Sequence, residues 1–171
     1  MWSLERAEFL APDGEKFERT YVLSPGAVAV VPITFRDDGP WVTLVRQFRP
    51  AFSKEMLEIP AGMRDVVGEP PAVTAARELL EETGLTAGRL EPLGHLASAP
   101  GITNSEVSIF VGTELQAGAH HRHGPEETYM DVVEMPLVEA VAQVRAGTID
   151  DSKTMIGLLL VSDLVRGEQR G

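Results

Sequence analysis

The chain has no cysteine in its 171 residues. This excludes disulfides, thiolate metal ligands and a cysteine nucleophile. Positive charge is in short supply: 15 Lys and Arg face 26 Asp and Glu, for a formal net charge of −11. Nucleic-acid binders show a basic face, and anionic membrane surfaces demand one, so neither is an expected partner. The longest apolar runs, Ala27–Ile33 and Met155–Val161, fall far short of the ~20 residues that cross a bilayer. No basic segment followed by an apolar core opens the sequence, so no signal peptide is read there and the expected compartment is the cytoplasm. Internal repeats and low-complexity blocks are also absent. With 43% apolar and 24% charged residues, the composition is that of one globular domain with a real core.

A coarse pass gives interspersed strands and helices. The turn cluster Ser24-Pro25-Gly26 divides an N-terminal strand segment, residues 1–25, from a domain over 26–171. Strands are predicted at Phe17–Leu23, Ala27–Phe35 and Trp41–Phe48. Asp37-Asp38-Gly39-Pro40 makes a hairpin turn between the last two. Pro32 predicts an edge or a bulge in its strand. A short strand over Met56–Ile59 leads into a Pro60-Ala61-Gly62 loop. The clearest helix runs from Pro70-Pro71 to Gly84, with proline in its first turn and glycine past its end. Further strands are expected at Leu93–Ala97, Val107–Val111 and Met130–Glu134. Helices follow from Pro136 to Ala146 and from Ser152 to Arg166, the latter capped by Asp151. This is an α/β or α+β sandwich. Gly118–Glu127 has no apolar period and reads as a loop, so its His120, His121 and His123 are read as solvated rather than as a second metal site. His95 is read as a core residue, and Trp2 and Trp41 as packing residues.

The informative stretch is Ala72–Leu85. On a helical wheel Ala72, Ala76, Leu79, Leu80 and Thr83 form the expected core-facing stripe. Glu78, Glu81 and Glu82 share the other side, within an arc of roughly 100°. Like charges at i,i+3 and i,i+4 cost a helix about 0.2–0.5 kcal/mol per pair. The stretch has no lysine and only Arg77 as a cation. Two readings stay open from the residues alone: a solvated acidic face, or a site where a hard divalent cation offsets the repulsion.

Arg77-Glu78-Leu79-Leu80-Glu81-Glu82-Thr83-Gly84-Leu85 resembles the core of the Nudix box, R-E-U-x-E-E-x-G-U with U aliphatic. Seven residues separate Glu69 from Arg77, as in that box, and Gly62 resembles its opening glycine. Six residues separate Gly62 from Glu69 where the family pattern has five, so an extra residue is expected in the loop Met63–Gly68. Outside the box, Val45–Pro50 and Leu57–Gly62 resemble the stretch preceding it in ADP-ribose pyrophosphatases. Past the box, Pro100, 15 residues beyond Leu85, is similar to the proline that marks ADP-ribose hydrolysing members, and the segment Gly147–Asp151 also resembles that branch. The likeness spans roughly residues 20–165. It implies a Nudix-type α/β/α sandwich with a mixed sheet and a small N-terminal strand extension. It also suggests a homodimer built through residues 1–24.

The resemblance further implies hydrolysis of a nucleoside diphosphate derivative with Mg2+, or Mn2+ in its place, between the carboxylates and the diphosphate. By likeness, Glu78 and Glu82 are the main metal ligands, with Glu81 joining or bridging and the Ala61 carbonyl as a further ligand. Arg77 is expected to orient a glutamate. Arg46 and Arg49 are candidates for phosphate contact, because a guanidinium fork suits paired oxygens. Glu58 is expected to contact substrate or to bind a loop amide, Pro100 to lie at the substrate, and Glu106 is a further substrate-site candidate. The attacking water needs a general base. ADP-ribose pyrophosphatases carry one on a late loop, where Glu126 and Glu127 stand; Glu81 or another box glutamate is the fallback. The favoured substrate is ADP-ribose, giving AMP and ribose 5-phosphate. UDP-glucose, GDP-mannose or a dinucleoside polyphosphate are the alternatives within the same chemistry. An ADP-ribose-binding regulator without catalysis is the alternative from another class.

Overall fold

A computed structural model describes residues 2–118 and 130–168. Two strands, β1 (Ser3–Leu10) and β2 (Lys16–Leu23), form an antiparallel hairpin with its own two-stranded sheet. The sequence reading located only the second of them. Phe9 stacks near Phe17 and Tyr21 along this hairpin. It is tied to the rest by the Val22 amide on the Ile102 carbonyl, the Ser24 amide on Asn104 Oδ1, and the Trp2 indole on Met63 Sδ.

The remaining strands are β3 (Ala27–Arg36), β4 (Gly39–Arg49), β5 (Lys54–Glu58), β6 (Ala61–Met63), β7 (Leu85–Ala97), β8 (Glu106–Ala117) and β9 (Asp131–Pro136). They build one mixed sheet in the order β5-β4-β3-β8-β7, with β6 paired to β3 and β9 to β4. Among the described strands of this sheet, β3 and β8 run parallel and the other pairings are antiparallel. Pro32 corrects the expectation of an edge, since β3 lies at the centre. On one side β3 pairs β6 through 27–29 and β4 from Ile33 onward. The proline falls where β3 changes partner, so no ladder there misses its N–H.

Helix α1 (Pro71–Thr83) covers one face, and α2 (Leu137–Ala146) and α3 (Ser152–Glu168) cover the other. The alternation of β3 separates the two layers. Val28 and Val30 meet Ala75, Leu79 and Phe110. Ala29, Val31 and Ile33 meet Leu137, Ala140, Val141, Leu158 and Val161. Both predicted glycine stops hold, Gly84 at φ 72° and Gly147 at φ 74°, each closing its helix in the left-handed conformation. Asp151 Oδ2 caps α3 by accepting the Thr154 amide at 3.0 Å. Among the described residues, no helix is long and apolar enough to cross a membrane.

The wheel for α1 is corrected. Its buried residues are Thr74, Ala75, Leu79 and Glu82, while Ala72 and Ala76 are exposed. The helix is rolled so that part of its acidic side turns inward. His95 is corrected as well. It stands on the outer strand β7, exposed, with Nε2 3.4 Å from Glu106. Trp41 lies under the Arg36 guanidinium and donates to Asp38 across the β3–β4 turn.

Candidate active site

The roll of α1 brings its carboxylates onto the short strand β6. Glu82 is 8% exposed, and its Oε2 accepts the Ala61 amide N–H at 2.9 Å. Glu78 lies against Gly62 so closely that a Cβ on that glycine would stand 2.0 Å from its carboxyl carbon. Gly62 is therefore required for close approach rather than for an unusual backbone angle. Ala61 and Gly62 are in turn fixed by pairing with Ala29 and Val28 of β3.

Arg77 sits among four carboxylates: Glu78 at 2.8 Å, Glu81 at 3.1 Å, Asp65 at 3.4 Å and Glu69 at 3.7 Å. Glu69 also accepts the Thr74 hydroxyl at 2.7 Å. The loop before it is fully exposed at Val67 and turns at Gly68, φ 81°, which accommodates its length. Asp65 was not singled out in the sequence.

The charge balance at this site is uneven. Burial pushes the Glu78 carboxyl up to about 7, against the Arg77 charge and with the repulsion of Glu81. Burial pushes Glu82 up to about 8, opposed by the Ala61 N–H and reinforced by Glu78. The charges of Lys153 and Arg49 act on Glu82 in the opposite sense. A buried and a half-buried carboxylate beside a backbone segment, both pushed toward the neutral form, form a donor set suited to a hard cation. Among the described residues, no three acidic or imidazole side chains form a ready cage.

Glu58 corrects the expectation of a loop amide. It is 1% exposed, and its oxygens take Arg49 Nε at 2.6 Å, Arg49 Nη2 at 2.8 Å and the Lys153 ammonium. Burial acts to raise its carboxyl, but the Arg49 hydrogen bond and the Lys153 charge hold it below the ordinary value. The neighbouring loop amides go elsewhere, Ile59 N–H to Thr154 Oγ1 and Ala61 N–H to Glu82. Arg46 is half-buried on β4, and its guanidinium has no partner among the described residues. Pro100 lines a groove of about 480 Å³ with Phe9, Phe17 and Tyr21, on the hairpin side of the molecule. Glu126, Glu127, His120, His121 and His123 lie outside the described residues. Lys153 and Thr154 were missed because their partners are 95 residues away and no local pattern announces a buried lysine.

A family model described as NUDIX domain matches residues 24–154. An ADP-ribose pyrophosphatase of Mycobacterium tuberculosis is 35% identical over 167 residues, 98% of this chain and 79% of that protein. One from Bacillus subtilis is 37% identical over 143 residues, 84% of this chain and 75% of that protein. A solved structure described as an ADP compounds hydrolase superposes with a TM-score of 0.81 at 24% identity, covering 100% of this chain and 90% of that one.

Proposed function

The chain belongs to the NUDIX domain family, and on that premise we propose that it hydrolyses the diphosphate of a nucleoside diphosphate sugar, with ADP-ribose as the preferred substrate. The observation that carries the proposal is the meeting of buried Glu82 and half-buried Glu78 against Ala61 and Gly62. The pyrophosphatases named above, similar to this chain over most of its length, support the choice of substrate.

Glu78, Glu82 and the Ala61 carbonyl would hold Mg2+, with Mn2+ able to replace it, and Glu81 stands ready to join them. When bound, a divalent ion neutralises diphosphate charge and makes water more acidic. Arg77 keeps Glu78 and Glu81 aligned and stays with the carboxylates rather than the substrate. Arg46 and the unshared N–H groups of Arg49 bind diphosphate oxygens. Water attacks one phosphorus, the bridging P–O bond breaks, and AMP and ribose 5-phosphate leave. Glu126 or Glu127 accepts the water's proton. Positioning and charge do most of this work, since no covalent intermediate with the protein is required.

Incubation with ADP-ribose, UDP-glucose, GDP-mannose and a dinucleoside polyphosphate in Mg2+ should release nucleoside monophosphate fastest from ADP-ribose. No turnover of any of them, with ADP-ribose bound intact, would support the regulator instead. For the base, one of Glu126→Gln and Glu127→Gln should lower kcat by about 10²–10⁴-fold and the other far less. If both retain wild-type kcat, the role passes to Glu81.

The N-terminal hairpin supports a homodimer. A two-stranded sheet is marginal alone, and this one leaves Leu4, Leu10, Phe9 and Phe17 exposed at 74%, 70%, 39% and 37%. Light scattering should give twice the chain mass; a monomeric mass would remove the dimer from the account.

A further inference from the structure

The start of α3 is bound to the active-site segment by contacts that the box does not supply. Thr154 is fully buried. Its hydroxyl donates to Asp151 Oδ2 at 2.6 Å and accepts the Ile59 amide N–H at 2.9 Å. Lys153 reaches across to Glu58 and also donates to Asp151 at 3.0 Å. At Gly157 the helix closes on the sheet, where a Cβ would stand 2.8 Å from Val31 and 3.2 Å from Ile59.

Residues 58–61 thus have a fixed point each. Glu58 is held by Lys153 and Arg49, and Ile59 by Thr154. The Pro60 carbonyl accepts the Val30 amide at 2.9 Å, and the Ala61 amide goes to Glu82. The first two of these four anchors come from α3 or run through it. Burying Glu58 and Lys153 is a poor source of stability, because taking the charges out of water consumes most of what their attraction returns. Their rigid geometry is what distinguishes them from an apolar filling.

We propose that Asp151, Lys153 and Thr154 are positioning residues for the divalent-cation site: through Glu58 and the Ile59 amide, the first turn of α3 sets the Glu58–Ala61 segment and so holds the Ala61 backbone against Glu82. This rests on the reading of Ala61, Glu78 and Glu82 as that site. The cluster does not touch the reacting atoms. It acts on the cation's binding by placing the backbone that binds it.

The test uses the full chain without substrate. Thr154→Val keeps the shape and removes the acceptor for the Ile59 amide, while Thr154→Ser keeps that acceptor. Lys153→Met keeps the length of the side chain and removes its charge. Free Mn2+ is titrated by electron paramagnetic resonance, with circular dichroism to confirm folding. Thr154→Val and Lys153→Met should each weaken Mn2+ binding about tenfold, while Thr154→Ser stays within about twofold of wild type. With ADP-ribose, the rate of Thr154→Val and Lys153→Met should fall at limiting Mn2+ and recover toward the wild-type value as Mn2+ is raised to saturation. A folded Thr154→Val chain that binds Mn2+ as tightly as wild type overturns the proposal. If that variant does not fold, Lys153→Met decides on the same criterion. Wild-type chain that binds no Mn2+ would overturn the functional reading itself; wild-type binding with unaffected variants overturns only the positioning role.

Discussion

Glu82→Gln should lose about 10²–10³-fold in kcat on ADP-ribose, since a metal ligand supports several kcal/mol of charge stabilisation and about 1.4 kcal/mol is a factor of ten. The same chain should melt, in chelator, at or above the wild-type temperature. The two expectations have one cause. At neutral pH the buried Glu82 carboxyl, pushed up to about 8, opposes folding whenever it ionises. Glutamine carries no charge to desolvate, and its carbonyl oxygen can still accept the Ala61 amide. Activity lost together with stability would mean that Glu82 serves the fold instead. Full activity would remove it from the site. Coupled assays for AMP and thermal melts with and without chelator read both quantities.

Gly62→Ala should be the second most damaging change, although it adds one methyl group. The new Cβ would stand 2.0 Å from the Glu78 carboxyl carbon and 2.2 Å and 2.4 Å from its oxygens. What it meets is the tip of a flexible side chain, so the strand holds and the carboxylate swings away. A displacement of about 1 Å at a reacting centre can cost 100-fold, so kcat should fall by about that factor while circular dichroism stays unchanged. Gly167→Ala, where a Cβ meets nothing within 4 Å, is the control. Equal activity in both variants would show that Glu78 has no required position.

Much of this was readable along the chain where local chemistry decides. Pro71 and Gly84 bracket α1, Gly147 closes α2, and Asp151 caps α3, because each acts within one turn. The Arg77–Leu85 pattern carries the family signature within nine consecutive residues. What escaped depends on contacts distant in sequence. Hydrophobic periodicity turned Ala72 and Ala76 inward, yet Glu82 is buried because the site, not the core, takes that face of α1. Pro32 looked like an edge signal because one chain cannot show that β3 changes partner there. Glu58 was visible as a candidate, but Lys153, which completes its ion pairs, lies 95 residues on.

Activity on a diphosphate here depends on Glu78, Glu82 and the Ala61 backbone holding a divalent cation. A crystal soaked in Mn2+ and measured at the manganese absorption edge tests it most directly. An anomalous peak is expected between those three groups, within coordination distance of Glu78 and Glu82. A map with no peak there, while nucleotide occupies another part of the molecule, would contradict it.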